Sequence, residues 1–179
     1  MKRPAVFLDR DGTLNVSPDH YLTSLDDFEP IPGAFEAVGR LTAAGWPVAV
    51  VTNQGCLGRG LVERAEVDRI HAECERLAAR HGGRFDGFYV CPDPPEAPTD
   101  RRKPEPGMLL EAARDHGYDR FRSYMIGDSE RDLLAGRAAG ATSLLVLTGH
   151  GAGVRAAGRH PAGLTFPTVA EAVDWILRR

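Results

Sequence analysis

Short unbroken apolar runs alternate with stretches of helical period along the 179 residues of this chain. Residues 5–8, bounded by Pro4 and then by charge and glycine, 47–51, 85–90, 123–126 and 142–147 are the runs, and each predicts a strand. Between the first two, residues 33–44 place Phe35, Val38 and Leu41 at three-residue steps behind Pro32 and predict a helix that stops at Gly45. Residues 63–80 put Val67, Ile70, Cys74, Leu77 and Ala78 on one side and Glu66, Arg69, Glu73 and Arg76 on the other, up to Gly82-Gly83. Three more helices are predicted at 107–116, at 130–139 ahead of Gly140, and at 169–177. Such alternation predicts an α/β fold, a doubly wound parallel sheet of about five strands with helices on both faces.

Length adds one bound and composition several. A chain of 179 residues, without repeat or linker, is expected to form one domain over 1–179. Six prolines between Cys91 and Pro106 exclude helix and central strand there and predict an ordered surface loop, which holds Arg101, Arg102 and Lys103. A net charge of -3 argues against a basic nucleic-acid face. No apolar stretch nears the ~20 residues that span a bilayer, and Met1-Lys2-Arg3 leads into too short a run for a secretory signal. A cytoplasmic monomer is expected, with no membrane partner. Cys56, Cys74 and Cys91 are odd in number and far apart, so reduced thiols are expected.

The chemistry sits where the strands end. An open parallel sheet binds ligands beyond its carboxyl edge, and here the runs deliver polar groups to that edge. The first leads into Asp9-Arg10-Asp11-Gly12-Thr13, the second into Thr52-Asn53-Gln54, the fourth into Gly127-Asp128 with Asp132 beyond, and Lys103 lies in the proline loop. Phosphoryl transfer needs an in-line nucleophile, an acid for the leaving oxygen, a divalent cation and positive charge around the equatorial oxygens. Asp9 is the candidate nucleophile, because a carboxylate can divide ester hydrolysis into two easier steps. Asp11, two residues on, is placed to protonate the leaving alkoxide and then to take a proton from water. Thr52 and Lys103 supply a hydroxyl donor and a cation. Asp9, the Asp11 carbonyl and Asp128, with Asp132 reached through water, form a hard oxygen set suited to Mg²⁺.

In this order the motifs resemble those of the haloacid dehalogenase-like phosphohydrolases. The resemblance implies an aspartyl-phosphate intermediate, Mg²⁺ dependence, and the roles just named for Asp9, Asp11, Thr52, Lys103 and Asp128. More closely, residues 7–15, 50–54, Arg59-Gly60, Arg102-Lys103-Pro104 and Pro106-Gly107-Met108 resemble the branch of D,D-heptose 1,7-bisphosphate phosphatases and histidinol phosphatases. That implies a sugar bisphosphate as substrate, with histidinol phosphate or transfer to an acceptor other than water as alternatives. Asn53, Gln54, Arg102 and the loop 17–21 with His20 would meet the substrate, and Arg102 with Arg59 would hold a distal phosphate.

The branch usually carries a zinc loop, Cys-x-His then Cys-x-Cys, before the Arg-Lys-Pro segment. Here Cys91 remains, but Asp93 stands at the His position and Thr99 and Arg101 at the later Cys positions, so no zinc is expected. A second departure is Ser129, where the heptose enzymes often have lysine. Neither gap between motifs has room for a cap domain, so the site should be roofed by loops alone. Glycine-rich residues 149–153 are expected to be a mobile surface connection, and His71, His81, His116 and His160 helix-face or loop residues. Cys56 is placed near the mouth of the site, as a remote candidate thiol nucleophile.

Overall fold

In a computed structural model of the chain, which describes residues 2–18, 20–159 and 164–179, the five apolar runs are strands β1 (Val6–Leu8), β2 (Val48–Asn53), β3 (Gly87–Cys91), β4 (Tyr124–Gly127) and β5 (Thr142–Val146). The helices follow as expected: α1 (Ala34–Ala43), α3 (Arg64–Arg80), α4 (Gly107–His116), α5 (Glu130–Ala139) and α7 (Val169–Leu177). Two further short helices, α2 (Gly55–Gly58) and α6 (Gly151–Ala156), occupy glycine-rich stretches that read as loops. A sixth strand, β6 (Leu164–Phe166), corrects the count of about five. It is three residues long and among the described residues pairs only with β5, so it leaves too short a pattern for a period to register. His160 lies outside the described residues.

All strand pairs are parallel, in the order β3-β2-β1-β4-β5-β6. The chain winds outward from β1 to one edge, then returns beside β1 to build the other half. The reversal between β1 and β4 opens a crevice at their carboxyl ends. Alternate residues of each strand face opposite layers. Val6, Leu8, Val48, Val50, Ile126, Leu144 and Val146 pack under α1, α3 and α7, whereas Phe7, Ala49, Val51 and Met125 pack under α4 and α5. A strand buried on both faces needs an apolar run, which is why the runs, rather than strict alternation, marked the strands.

Candidate active site

Lys103, from the loop ahead of α4, stands at the centre of the carboxyl edge. Its ammonium lies 2.8 Å from Asp9 Oδ1 and 2.6 Å from Asp132 Oδ1, and donates to the Val51 carbonyl at 2.8 Å. Only 2% of the residue is exposed. Burial works to discharge it, but Asp132 and Asp9 more than compensate and raise its pKa.

Asp9 follows β1, and its Oδ1 also accepts the Arg10 amide at 2.8 Å, while Oδ2 has no hydrogen-bond partner among the described residues. Burial first, and then the charge of Asp132, push the Asp9 carboxyl well above the usual range against the pull of Lys103. Asp128, after β4, is pushed up by the same two causes in the same order. Oxygens of Asp9, Asp128 and Asp132 all lie within 4.8 Å of one another. Three carboxylates around one ammonium leave negative charge uncompensated in a buried place, and a hard divalent cation answers that deficit. The donor set is all oxygen and suits Mg²⁺.

Asp132 divides its carboxylate between two tasks. Oδ1 faces Lys103, and Oδ2 accepts the Ser129 amide at 3.0 Å and hydroxyl at 2.6 Å, which closes the first turn of α5. The helix cap thereby fixes a residue of the site. Asp128 is held from the other side by the His150 amide, 2.7 Å from Oδ2. Two glycines let the backbone approach so closely: a Cβ on Gly12 (φ 82°) or on Gly149 (φ 54°) would lie 2.1 or 2.0 Å from that same oxygen. Residues 149–153 are therefore a wall of the site and the start of α6, which corrects the expectation of a mobile connection. The signal available in the sequence was a glycine two residues beyond the fifth apolar run.

Asp11 turns toward Arg10. The buried guanidinium donates to its Oδ1 at 2.9 Å and its Oδ2 at 3.0 Å, joined by Asn15 at 3.0 Å and Gln54 at 2.9 Å. Burial pulls the Asp11 pKa upward, but Arg10 and these hydrogen bonds prevail and hold it below the usual range. Arg10 in turn lies 3.4 Å from His71 Nε2, and the His71 ring stacks on Phe88 with centroids 4.4 Å apart. Burial and the neighbouring Arg10 charge push His71 down to about 3, so it is neutral. Sequence reasoning passed over Arg10, Asn15 and His71 as site residues, although Arg10 lies inside the motif itself.

Thr52, in β2, accepts the Gln54 amide at 2.9 Å, which leaves its own hydroxyl hydrogen to donate elsewhere. The cavity above these groups holds about 470 Å³, with Thr52, Asn53, Arg102, Ser17, His20 and Tyr21 in its wall besides the charged centre. Asp19, in the same loop, lies outside the described residues. Asn53 spends its amide on the Lys103 backbone, at 3.0 and 3.1 Å. Gln54 is buried behind Asp11, and Arg59 sits outside, paired with Glu96 at 2.6 Å and donating to Tyr21 at 3.1 Å. Neither lines the cavity. Cys56 is fully buried, and burial raises its thiol pKa, so it is no nucleophile in this setting.

In the proline loop, the Asp93 carboxylate accepts both the amide and the hydroxyl of Thr99, at 2.9 and 2.5 Å, and Arg101 pairs with Glu111 at 3.0 Å. Cys91 is buried, which raises its pKa away from thiolate. Among the described residues no helix is long and apolar enough to cross a membrane.

Known proteins share this fold. A family model described as HAD-hydrolase-like matches residues 100–172. The D-glycero-beta-D-manno-heptose-1,7-bisphosphate 7-phosphatase of Pseudomonas aeruginosa is 40% identical over 99% of this chain and all of its own length. A crystal structure of the D,D-heptose 1,7-bisphosphate phosphatase from B. bronchiseptica, complexed with magnesium and phosphate, superposes with a TM-score of 0.94 at 37% identity, covering 98% of both chains. The enzyme of the same name from Burkholderia thailandensis gives 0.76 at 35% identity, over 99% of this chain and 100% of its own.

Proposed function

The chain belongs to the haloacid dehalogenase-like hydrolases, in their heptose bisphosphate phosphatase branch, and from that premise we propose that it removes the 7-phosphate from D-glycero-D-manno-heptose 1,7-bisphosphate. It is a phosphoric monoester hydrolase. The observation that carries the reading is the buried centre in which Asp9, Asp128 and Asp132 surround Lys103 at the sheet's carboxyl edge.

Asp9 attacks phosphorus through the oxygen that Lys103 leaves free. A bond forms from Asp9 to phosphorus while the bond to the sugar oxygen breaks, and that oxygen takes a proton from Asp11. Water then attacks the aspartyl phosphate, Asp11 takes the proton back, and inorganic phosphate leaves with Asp9 restored. Arg10 holds Asp11 ionised in the free enzyme, the state needed to receive a proton from water. Entry of an anionic phosphate beside it raises its proton affinity, so Asp11 takes up from solvent the proton it gives in the first step, and it returns the proton gained in the second step to solvent once phosphate has left. The Thr52 hydroxyl and Lys103 hold the equatorial oxygens. Asp9, Asp128 and the Asp11 carbonyl would hold Mg²⁺, with Asp132 outside them, and the ion would supply charge stabilisation to the phosphoryl oxygens.

The whole chain acts as one domain roofed by loops, in the cytoplasm and without zinc. At the four positions where the branch usually holds zinc, one buried thiol remains, and the other three side chains are engaged with Thr99, Asp93 and Glu111. Metal analysis of purified protein should find zinc well below one per chain, and stoichiometric zinc would overturn this. The activity is tested by phosphate release from the heptose bisphosphate, with histidinol phosphate beside it, with and without Mg²⁺. Release that needs Mg²⁺, favours the heptose and falls at least about a thousandfold in Asp9→Asn is expected. Undiminished release by Asp9→Asn would sink the covalent mechanism.

A further inference from the structure

His71 is a buried titratable residue for which the reaction as described has no use. It comes from α3, is 6% exposed and does not line the cavity. Its ring lies flat on Phe88 of β3, with centroids 4.4 Å apart and planes 16° apart, and Phe85 braces Phe88 edge-on at 5.1 Å. On its other side Nε2 lies 3.4 Å from Arg10 Nη1. A guanidinium only donates, so the ring accepts through Nε2 and carries its proton on Nδ1.

Arg10 is fully buried and spends its guanidinium in two directions. Nε and Nη2 grip the two oxygens of Asp11 at 2.9 and 3.0 Å, while Nη1 lies outside that fork and has His71 as its one hydrogen-bond partner among the described residues. A buried donor left without an acceptor is costly. With the ring gone, the long Arg10 side chain would turn toward another acceptor, and the Asp11 carboxylate would follow the fork. That carboxylate lines the cavity, so such a shift is felt where the substrate sits.

Proton transfer tolerates little misplacement, because the carboxyl oxygen must stand within hydrogen-bond reach of the leaving oxygen and afterwards of the attacking water. Arg10 is long and jointed, whereas the His71 ring is clamped between a helix and a strand, so the ring supplies the fixed point. Resting on the acid and base roles given to Asp11 above, we infer that His71 is a positioning residue, which through Arg10 aims the Asp11 carboxylate for both proton transfers. It touches no reacting atom itself.

The test compares wild type, His71→Leu and His71→Gln, with Mg²⁺, on the heptose bisphosphate and on 4-nitrophenyl phosphate. A sugar alkoxide needs the acid's proton in order to depart, and 4-nitrophenolate hardly does. In His71→Leu, which offers no acceptor, kcat/KM for the heptose ester should fall about tenfold or more relative to the aryl ester. His71→Gln, whose side-chain carbonyl accepts from Nη1, should recover most of that loss. An equal change on both esters, or none on either, overturns the assignment, since structural damage alone does not sort esters by leaving group. Nitrogen NMR on wild type checks the geometry without any substitution: the His71 ring should be neutral at neutral pH with its proton on Nδ1, and a proton on Nε2 overturns the proposal. Should wild type hydrolyse the aryl ester but not the heptose bisphosphate, the substrate reading alone fails, and phenyl phosphate takes the heptose ester's place in the comparison.

Discussion

On the floor of the cavity Lys103 meets Asp9 and Asp132 while 2% exposed; at the rim Arg59 meets Glu96 at 2.6 Å with both side chains in solvent. The distances are alike and the consequences are not. In water the rim pair gains little, because solvent screens it and two long side chains must be ordered. On the floor the same charges are desolvated, so each depends on the others, and removing one leaves the rest stranded. The charged centre is accordingly built of groups with several partners each, and the rim of a pair that can be exchanged at small cost.

The largest break in that contrast should come from Lys103→Met. It strands Asp9 and Asp132, and we expect turnover to fall at least about a thousandfold and stability by about 3–5 kcal/mol without Mg²⁺. Denaturant melts and initial rates read both, and a loss of only a fewfold would place the floor on the same footing as the rim. Next is Gly149→Ala, which puts a Cβ 2.0 Å from Asp128 Oδ2 on a backbone with φ 54°. Asp128 must move, so the rise of Tm with added Mg²⁺ should need roughly tenfold more of the ion, and an unshifted titration would remove Asp128 from the metal site.

A smaller effect sharpens the comparison at its buried edge. His71 is held near 3 in the folded chain against 6.5 when unfolded. Below the unfolded value only the unfolded state takes the proton. Stability present above pH 6.5 is therefore lost as pH falls toward 3, by at most about 1.4 kcal/mol per pH unit. His71→Gln should flatten that acid limb in urea melts at pH 5 to 7, and an unchanged slope would assign the loss to other groups. Arg59→Ala should do least, with Tm within about 1 °C of wild type and turnover within a factor of two.

How much of this was legible beforehand differs between fold and site. The strands and helices were readable because a sheet buried on both faces demands apolar runs, and its helices demand a 3.6-residue stripe, both of which are local properties. What escaped were pieces too short to carry a period, β6 and the helices α2 and α6. Asp9, Thr52, Lys103 and Asp128 were visible as polar groups after apolar runs. Arg10 and His71 were not, because a charged or titratable residue inside a motif or on a helix gives no sign of burial until its neighbours are known. Gln54 and Arg59 show the converse, residues close in sequence to the site whose side chains turn to other partners.

The sequence by itself determined the reaction class: which residue types stand at successive strand ends follows from order along the chain, and strand ends share one edge in any parallel sheet. Tertiary structure alone decided the neighbours. The crossover that sets β4 beside β1 brings Asp128 to Asp9, the turn after β5 brings the His150 amide to Asp128, and α5 brings Arg131 to the wall that Arg102 occupies. Those contacts join residues far apart in the chain, and their worth depends on burial and on which lone pair is already taken. Neither quantity exists until the chain has folded.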